Sequence, residues 1–471
     1  MIKIEFGIYI YVLTAVFFAA IGIWYSKKKK WTVEEFISSK NTLKVGASVA
    51  TIFASGMGAW ILFGPAETMI TTGIIALAGY TLSSALSLWI FMWLGVKIRK
   101  AMPQGHTIVE YIFHRFGKWM YLLVLLVSIF FMALGMTAEL TGISLAGKVV
   151  FGIPLYISAI IIGVGVLLYI MLGGFKTSVF TDKVQTWFIL PLFAVLAVGF
   201  MSFGRNVFQD APIRAPELFS LTTGWEFGIT LIIAIVSAEL FNQSWWQRVF
   251  AAKSKKVMQK AYFFAGLLVI PVIFIAGLFG LWALGTPAAD DPSVALFSVL
   301  LAAPEWLLVI GMILAVALVM SSIDTSLNAM VSIFTVDFVR LKPKVNPRKL
   351  LNIAKFIVLI IAIVGISIAT KGMSVLYLFL LADLVTVAIV FPVFYGLFQG
   401  KLNGKVALTA SILGLIGGFF YFPDPTYSRG NLLWSFVIAL IIPTIICIFF
   451  AKGKSYNYDK LKKNVKLIAK L

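Results

Sequence analysis

About thirteen apolar stretches, each long enough to cross a bilayer, fill this chain and are separated by short charged loops. A hydrocarbon core of about 30 Å needs roughly 20 apolar residues per helix. The pattern therefore predicts membrane helices over 5–25, 46–70, 73–96, 120–147, 153–172, 184–203, 225–246, 261–285, 306–338, 351–370, 373–397, 405–422 and 432–451. The second of these is interrupted by small residues at Ala54-Ser55-Gly56-Met57-Gly58-Ala59-Trp60. A membrane helix broken in this way exposes backbone carbonyls at mid-depth, which is tolerated only where the opening lines a polar cavity or binds an ion. The break points to transport.

Composition agrees with the pattern. Of 471 residues, 61% are hydrophobic and 12% charged, which excludes a soluble globular domain. No stretch is left over for one, so a single membrane domain is expected. A net charge of +20 would suggest nucleic acid in a soluble protein, but here the cations follow topology. Lys27 to Lys30 with Lys40 and Lys44 fall on one side, as do Lys97, Arg99, Lys100, Arg115 and Lys118. Arg248 with Lys253, Lys255, Lys256 and Lys260 share that side, joined by Arg340 to Lys349 and the Lys-rich tail after Ala451. The opposite loops carry Asp290, Asp291 and Asp424. The positive-inside rule then puts the amino terminus outside and the carboxyl terminus in the cytoplasm, which requires an odd number of spans. The basic balance reports orientation and attraction to anionic lipid, not nucleic-acid binding.

The first apolar run precedes its positive cluster and lacks a small-residue cleavage pattern, so it is expected to stay in the membrane. A single cysteine, Cys447, excludes internal disulfides and Cys-based metal clusters. His106 and His114 fall in the basic loop after the third span and read as solvated loop residues.

Polar residues inside the spans carry the functional information, because each costs free energy unless paired or facing water. The ninth span is richest, with Ser321, Ser322, Asp324, Thr325 and Asn328. Helical spacing lets Leu318, Ser321, Ser322 and Thr325 line one strip with Asp324 at its edge. Hard cations such as sodium take several oxygen ligands, and these hydroxyls with carbonyls freed between Ala54 and Met57 would supply about five. Alternatively, Ser and Thr bond back to the preceding turn and permit close helix packing; a carboxylate at this depth is hard to explain as packing. Further embedded polar groups are Glu67, Glu139, Glu239, Asn242, Gln243 and Asp383, with Asp182 and Gln185 at the inner end of the sixth span. Glu67 and Asp383 are open to a solvated role near the interfaces. Asn242 and Gln243, followed by Trp245 and Trp246, can frame a polar solute or form an interfacial anchor. Spans two to six and seven to eleven would run in opposite orientations, which admits an inverted repeat with its binding site at the shared midplane.

At these residues the chain resembles the sodium/solute symporter family, which includes transporters of proline, sugars, sialic acid, pantothenate and urea. The resemblance rests on Ala-Ser-Gly-Met-Gly-Ala-Trp-Ile-Leu-Phe-Gly-Pro at 54–65 and on Gly173-Gly174-Phe175 followed by Thr181-Asp182 and Gln185. Phe241-Asn242-Gln243 with Gln247-Arg248 and Ala251-Ala252-Lys253-Ser254, the serine strip at 321–328, and Phe391-Pro392 before Gly396-Leu397-Phe398 add to it. It implies an all-α polytopic membrane protein of about thirteen transmembrane helices with the LeuT-like 5+5 inverted repeat and broken helices, alternating access, and Na+ as coupling ion. Carried onto matching positions, the main sodium site would use the carbonyls of Ala54, Met57 and Leu318 and the hydroxyls of Ser321 and Ser322. Members similar to the sialic-acid carriers imply a second cation site at Asp182, Asp324 and Thr325, where Asp324 replaces a hydroxyl. Proline carriers show an Asp where this chain has Gly56, and sugar carriers a Glu near Thr81. Leu381-Ala382-Asp383-Leu384 and Phe391-Pro392-Val393-Phe394-Tyr395-Gly396 look most like urea-type and uncharacterised archaeal or bacterial members.

The expected activity is sodium-coupled symport that imports a small polar neutral or zwitterionic solute without covalent chemistry. The solute pocket is expected at Ser55, Gly56, Trp60, Tyr80, Ser84, Asn242 and Gln243. The layout is a first helix with its basic loop (1–44), two inverted repeats (45–204 and 225–398), and two peripheral helices with a basic tail (399–471). Proton coupling through Asp324 or Glu239 is the rival; a channel lacks a filter repeat, and an intramembrane enzyme lacks a nucleophile-base or metal constellation. A prokaryotic plasma membrane is the expected location, with lipid, sodium and solute as partners and no obligatory protein partner.

Overall fold

The computed structural model describes residues 4–28, 31–203, 205–284, 291–342 and 344–465. Lys29, Lys30, Asp290 and residues 466–471 of the basic tail, which contributed to the charge pattern, lie outside the described residues.

Among the described residues ten helices are long and apolar enough to cross a membrane, and two bent pairs, each counted as one span, bring the number to twelve. The ten are Ile4–Lys27, Ile74–Ala101, Lys118–Phe151, Leu155–Phe203, Lys255–Leu278, Glu305–Leu341, Pro347–Ala369, Val375–Phe398, Gly404–Tyr421 and Leu432–Phe450. The Leu155–Phe203 helix has 49 residues, or about 73 Å at 1.5 Å per residue, more than twice the hydrocarbon thickness. It is broken at Gly174, where φ 57° and ψ −147° leave the helical region for one that favours glycine. Counted as spans five and six, its halves bring the total to the expected thirteen.

The bent pairs are Val45–Gly56 with Ala59–Thr72, at 59°, and Trp225–Glu239 with Gln243–Ala251, at 56°. In span two the chain turns extended at Met57 (φ −95°, ψ 94°), whose N–H caps the carbonyls of Phe53 and Ala54. Gly58 follows because a Cβ there would lie 1.8 Å from Oε1 of Glu139. In span seven Asn242 stops the first half and caps the second, its side chain accepting the Ser244 N–H at 3.1 Å. Spans three and seven meet backbone to backbone, since a Cβ on Gly79 would stand 2.6 Å from the Gly228 Cα. Such small-residue contacts are how membrane helices pack closely without a hydrophobic driving force.

Burial ranks the spans. The apolar windows of spans nine and eleven are 72% and 78% buried, whereas those of spans ten, twelve and thirteen are each 28% buried. The polar ninth span is therefore central, and the last two are peripheral.

Three expectations are corrected by the fold. Arg248 was placed in a basic loop, but the second half of span seven runs on to Ala251 and Arg248 is 1% exposed. His106 is fully buried in the turn before the Ile108–Phe116 helix, and His114 is half-buried on that helix; neither is a solvated loop residue. Glu67 and Asp383 are buried as well. On the basic face, residues 37–43 are stitched to the end of span seven. Leu43 and Ala252 form a parallel bridge, the Lys253 N–H donates to the Leu43 carbonyl at 2.8 Å, and the Gln247 amide donates to the Ile37 carbonyl at 2.6 Å.

Candidate functional site

Asp182 stands on span six two turns beyond the Gly174 break and is fully buried. Its carboxylate accepts hydrogen bonds from the hydroxyls of Thr51, Ser55 at 3.0 Å and Ser321 at 2.9 Å. It also pairs with Nη2 of Arg248 at 3.0 Å. The Arg248 fork is engaged all round. Nε reaches the Thr51 hydroxyl at 3.1 Å, Nη1 donates to the Ser244 carbonyl at 3.0 Å, and Nη2 also contacts Ser55 and Thr325 at 3.2 Å. The buried ion pair is thereby fully hydrogen-bonded, the condition under which such a pair is tolerated.

Asp324 faces the same cluster from span nine. It accepts from Tyr169 at 2.7 Å, Ser178 at 2.8 Å and Thr181 at 3.1 Å. The Thr325 hydroxyl lies 3.2 Å from Asp324 Oδ1 and 3.0 Å from Ser55 Oγ. Among the described residues no cationic side chain forms an ion pair with Asp324. The structure thus brings Asp182, Asp324 and Thr325 into one cluster, in which the positive charge beside Asp182 belongs to Arg248. Gln185, one turn on from Asp182, is fully buried with neither amide atom partnered among the described residues.

The five residues of the expected main sodium site fall on two elements. Ala54 and Met57 flank the span-two break, and the Ala54 carbonyl accepts the Met57 N–H at 3.2 Å. Leu318, Ser321 and Ser322 follow one another along span nine. Ser321 turns its hydroxyl to Asp182, whereas Ser322 lines a cavity with Ser55, Gly56 and Thr325.

That cavity, with about 470 Å³ of empty space, adjoins a larger one of about 690 Å³. Gly56, Trp60, Tyr80 and Ser84 line the larger; Ser55, Gly56, Trp60 and Asn242 line the smaller. Trp60 stacks on Tyr80 with centroids 5.6 Å apart, and its ring N–H donates to the Gly56 carbonyl at 3.2 Å, so the break carries an aromatic wall. Gln243 is the exception. Its amide donates to the His106 carbonyl at 2.8 Å and accepts the Ile108 N–H at 3.2 Å, so it ties span seven to the loop after span three and lines neither cavity. The expected pocket lacked several hydroxyls, Ser87 and Ser244 among them, and, more consequentially, the acids. Glu239 and Asp383 line the larger cavity, and Glu139 and Glu239 the smaller; their position inside spans was the available signal.

Residues 36–414 match the model of the sodium:solute symporter family. A spermidine transporter of Candida albicans is 27% identical over 420 residues, covering 87% of this chain and 78% of that protein. A sodium/glucose cotransporter of Vibrio parahaemolyticus is 26% identical over 513 residues, covering 97% and 91%. A solved structure of a substrate-bound, outward-open Na+-coupled sialic acid symporter superposes with a TM-score of 0.78 at 19% identity, covering 94% of this chain and 97% of that one. The curated relatives are mostly eukaryotic, so the expected prokaryotic source is not borne out.

Proposed function

Since this chain belongs to the sodium:solute symporter family, we propose that it is a sodium-coupled secondary transporter that imports a small polar solute by alternating access, without covalent chemistry. The main sodium site uses the carbonyls of Ala54, Met57 and Leu318 and the hydroxyls of Ser321 and Ser322. The solute occupies the paired cavities at the span-two break, between two inverted repeats at 45–204 and 225–398. The basic face is cytoplasmic and the amino terminus outside. One observation carries this proposal: the span-two break, with Gly56 and Trp60, walls the same cavity as Ser322 of the oxygen-rich ninth span. Ion and solute then share a backbone segment, which is what coupling requires.

Sodium entering down its gradient stabilises the form open to the outside, completes the solute pocket and leaves with the solute. Each charge crossing about 100 mV contributes roughly 2.3 kcal/mol, enough for about fifty-fold accumulation of a neutral solute when 1.4 kcal/mol is tenfold. The test is uptake into proteoliposomes under an inward sodium gradient, against equal potassium and proton gradients. Uptake driven by protons alone would favour the second proposal, proton coupling, which draws on Asp324: a buried carboxylate with several hydroxyl partners and no ion pair among the described residues is equipped to carry a proton.

A further inference from the structure

We infer that the transported solute carries a protonated amine or quaternary ammonium group, held by Glu239, Asp383 and Glu139 against the rings of Trp60 and Trp245; this rests on the transport proposal above. The expectation of a neutral or zwitterionic solute assumed uncharged walls. The cavities instead have three carboxyl groups on their walls and no Lys, Arg or His among the lining residues. None of the three acids makes an ion pair among the described residues.

Glu139 is 1% exposed. Its Oε2 accepts the Ala59 N–H at 2.6 Å, while Oε1 has no partner among the described residues and lies where only Gly58 leaves room for it. Glu239 accepts from the Asn242 amide at 3.0 Å and from the Trp245 ring N–H, which fixes its carboxylate at the junction of the two cavities. Elsewhere the chain neutralises a buried acid with its own guanidinium, as Asp182 does with Arg248. At the cavity the described residues supply no such partner.

An unpaired carboxylate in a low-dielectric interior is costly and otherwise takes up a proton, so the walls ionise most readily with a ligand that brings the missing positive charge. A sugar or urea cannot cancel it, and a zwitterion would set its own carboxylate among three others. An ammonium also gains from an indole face, by about 0.5–2 kcal/mol, and Trp60 and Trp245 line both cavities.

The experiment uses pairs of equal shape and different charge: choline against 3,3-dimethylbutan-1-ol, and butane-1,4-diamine against butane-1,4-diol. Each is titrated in sodium against the purified protein by thermal shift and against sodium-driven uptake in proteoliposomes. At least one cation should act at about a tenfold lower concentration than its neutral twin or better, the scale of one charged hydrogen bond for the diamine and of a desolvated cation–π contact for choline. Glu239→Gln and Asp383→Asn should raise that concentration about tenfold or more, while keeping the sodium-induced shift that shows a folded protein. Equal response to charged and neutral twins, or no response to either amine, overturns the inference. Sodium-driven uptake of glucose or urea with no amine response overturns it and leaves the transport proposal standing. Amine binding without any ion-driven uptake supports the ammonium site and removes the transport proposal.

Discussion

Replacing Arg248 with Met keeps the length of the side chain and removes its charge. The variant loses the 3.0 Å pair with Asp182 and the donors to Thr51, Ser244 and Thr325, and it leaves a fully buried carboxylate without a cation. Breaking one side of a buried pair costs about 3–5 kcal/mol. At roughly 2.1 cal/mol/K of unfolding entropy per residue, 471 residues give about 1 kcal/mol/K, so the thermal midpoint should fall by about 3–5 °C. Adding Asp182→Asn removes the orphaned charge and should recover most of the loss, because neutral replacement of both partners is often nearly neutral or stabilising. Thermal unfolding of the parent, both single variants and the double variant closes the cycle. Arg248→Met should also be stabilised more by sodium than the parent, because Asp182 then attracts a free cation. If the single losses simply add in the double variant, and the sodium-dependent shift is unchanged, the two residues are not a coupled pair and the argument fails.

Ser322→Ala removes one neutral oxygen from the proposed main sodium site and should raise the half-activating sodium concentration by about tenfold, read from a sodium titration of uptake. Unchanged sodium dependence would exclude the residue. Asp324→Asn keeps the shape of the side chain and removes a charge, so it should lower the charge moved per solute or abolish a pH dependence of transport. Identical current-to-flux ratios and pH profiles in voltage-clamped vesicles would make Asp324 structural. On the basic face, burial disfavours the charged His106 ring, but Glu110 and Glu34, with Glu34 2.7 Å away, hold its pKa above the ordinary 6.5 against the nearby Lys40. That contribution to stability is complete below pH 6.5 and fades as pH rises through the raised value. Glu34 and Glu110 are shifted down from 4.5, so theirs is lost only on stronger acidification. Thermal midpoints should therefore fall from pH 6.5 upward in the parent and fall less in His106→Asn; equal slopes would refute this.

The spans were legible because a bilayer demands a run of fixed length whatever the tertiary contacts, and the span-two break because small residues interrupt such a run. Asp182, Asp324 and Thr325 were each visible as polar groups at the spans, but it was the resemblance to sialic-acid carriers that grouped them. Arg248 could not be placed with them, since a cation at the end of an apolar run looks like the start of a basic loop, and only its partners on spans two, six and nine show that the helix continues. Gln243 has the chemistry of a solute ligand, but its hydrogen bonds run to backbone at residues 106 and 108, contacts with no local signature. Glu239 and Asp383 were visible as embedded acids, but their facing was not. Span eleven is apolar almost all round, so no polar stripe announces which side meets the cavity.

Coupling in the proposed cycle follows from how closely the tasks are placed. In that proposal Ala54 and Met57 offer carbonyls to sodium, while Ser55 turns its hydroxyl to Asp182 and Gly56 forms cavity wall where a Cβ would stand 3.0 Å from the Trp245 ring. These four successive residues close the first half-helix, where the next turn no longer supplies helical N–H donors and the Ala54 carbonyl keeps only the tight-turn bond from the Met57 N–H. A cation on the two carbonyls therefore fixes the cavity wall and the serine together, and a solute against Gly56 fixes the carbonyls in return. Either ligand lowers the ordering cost of the other, which is positive coupling between sites that never touch.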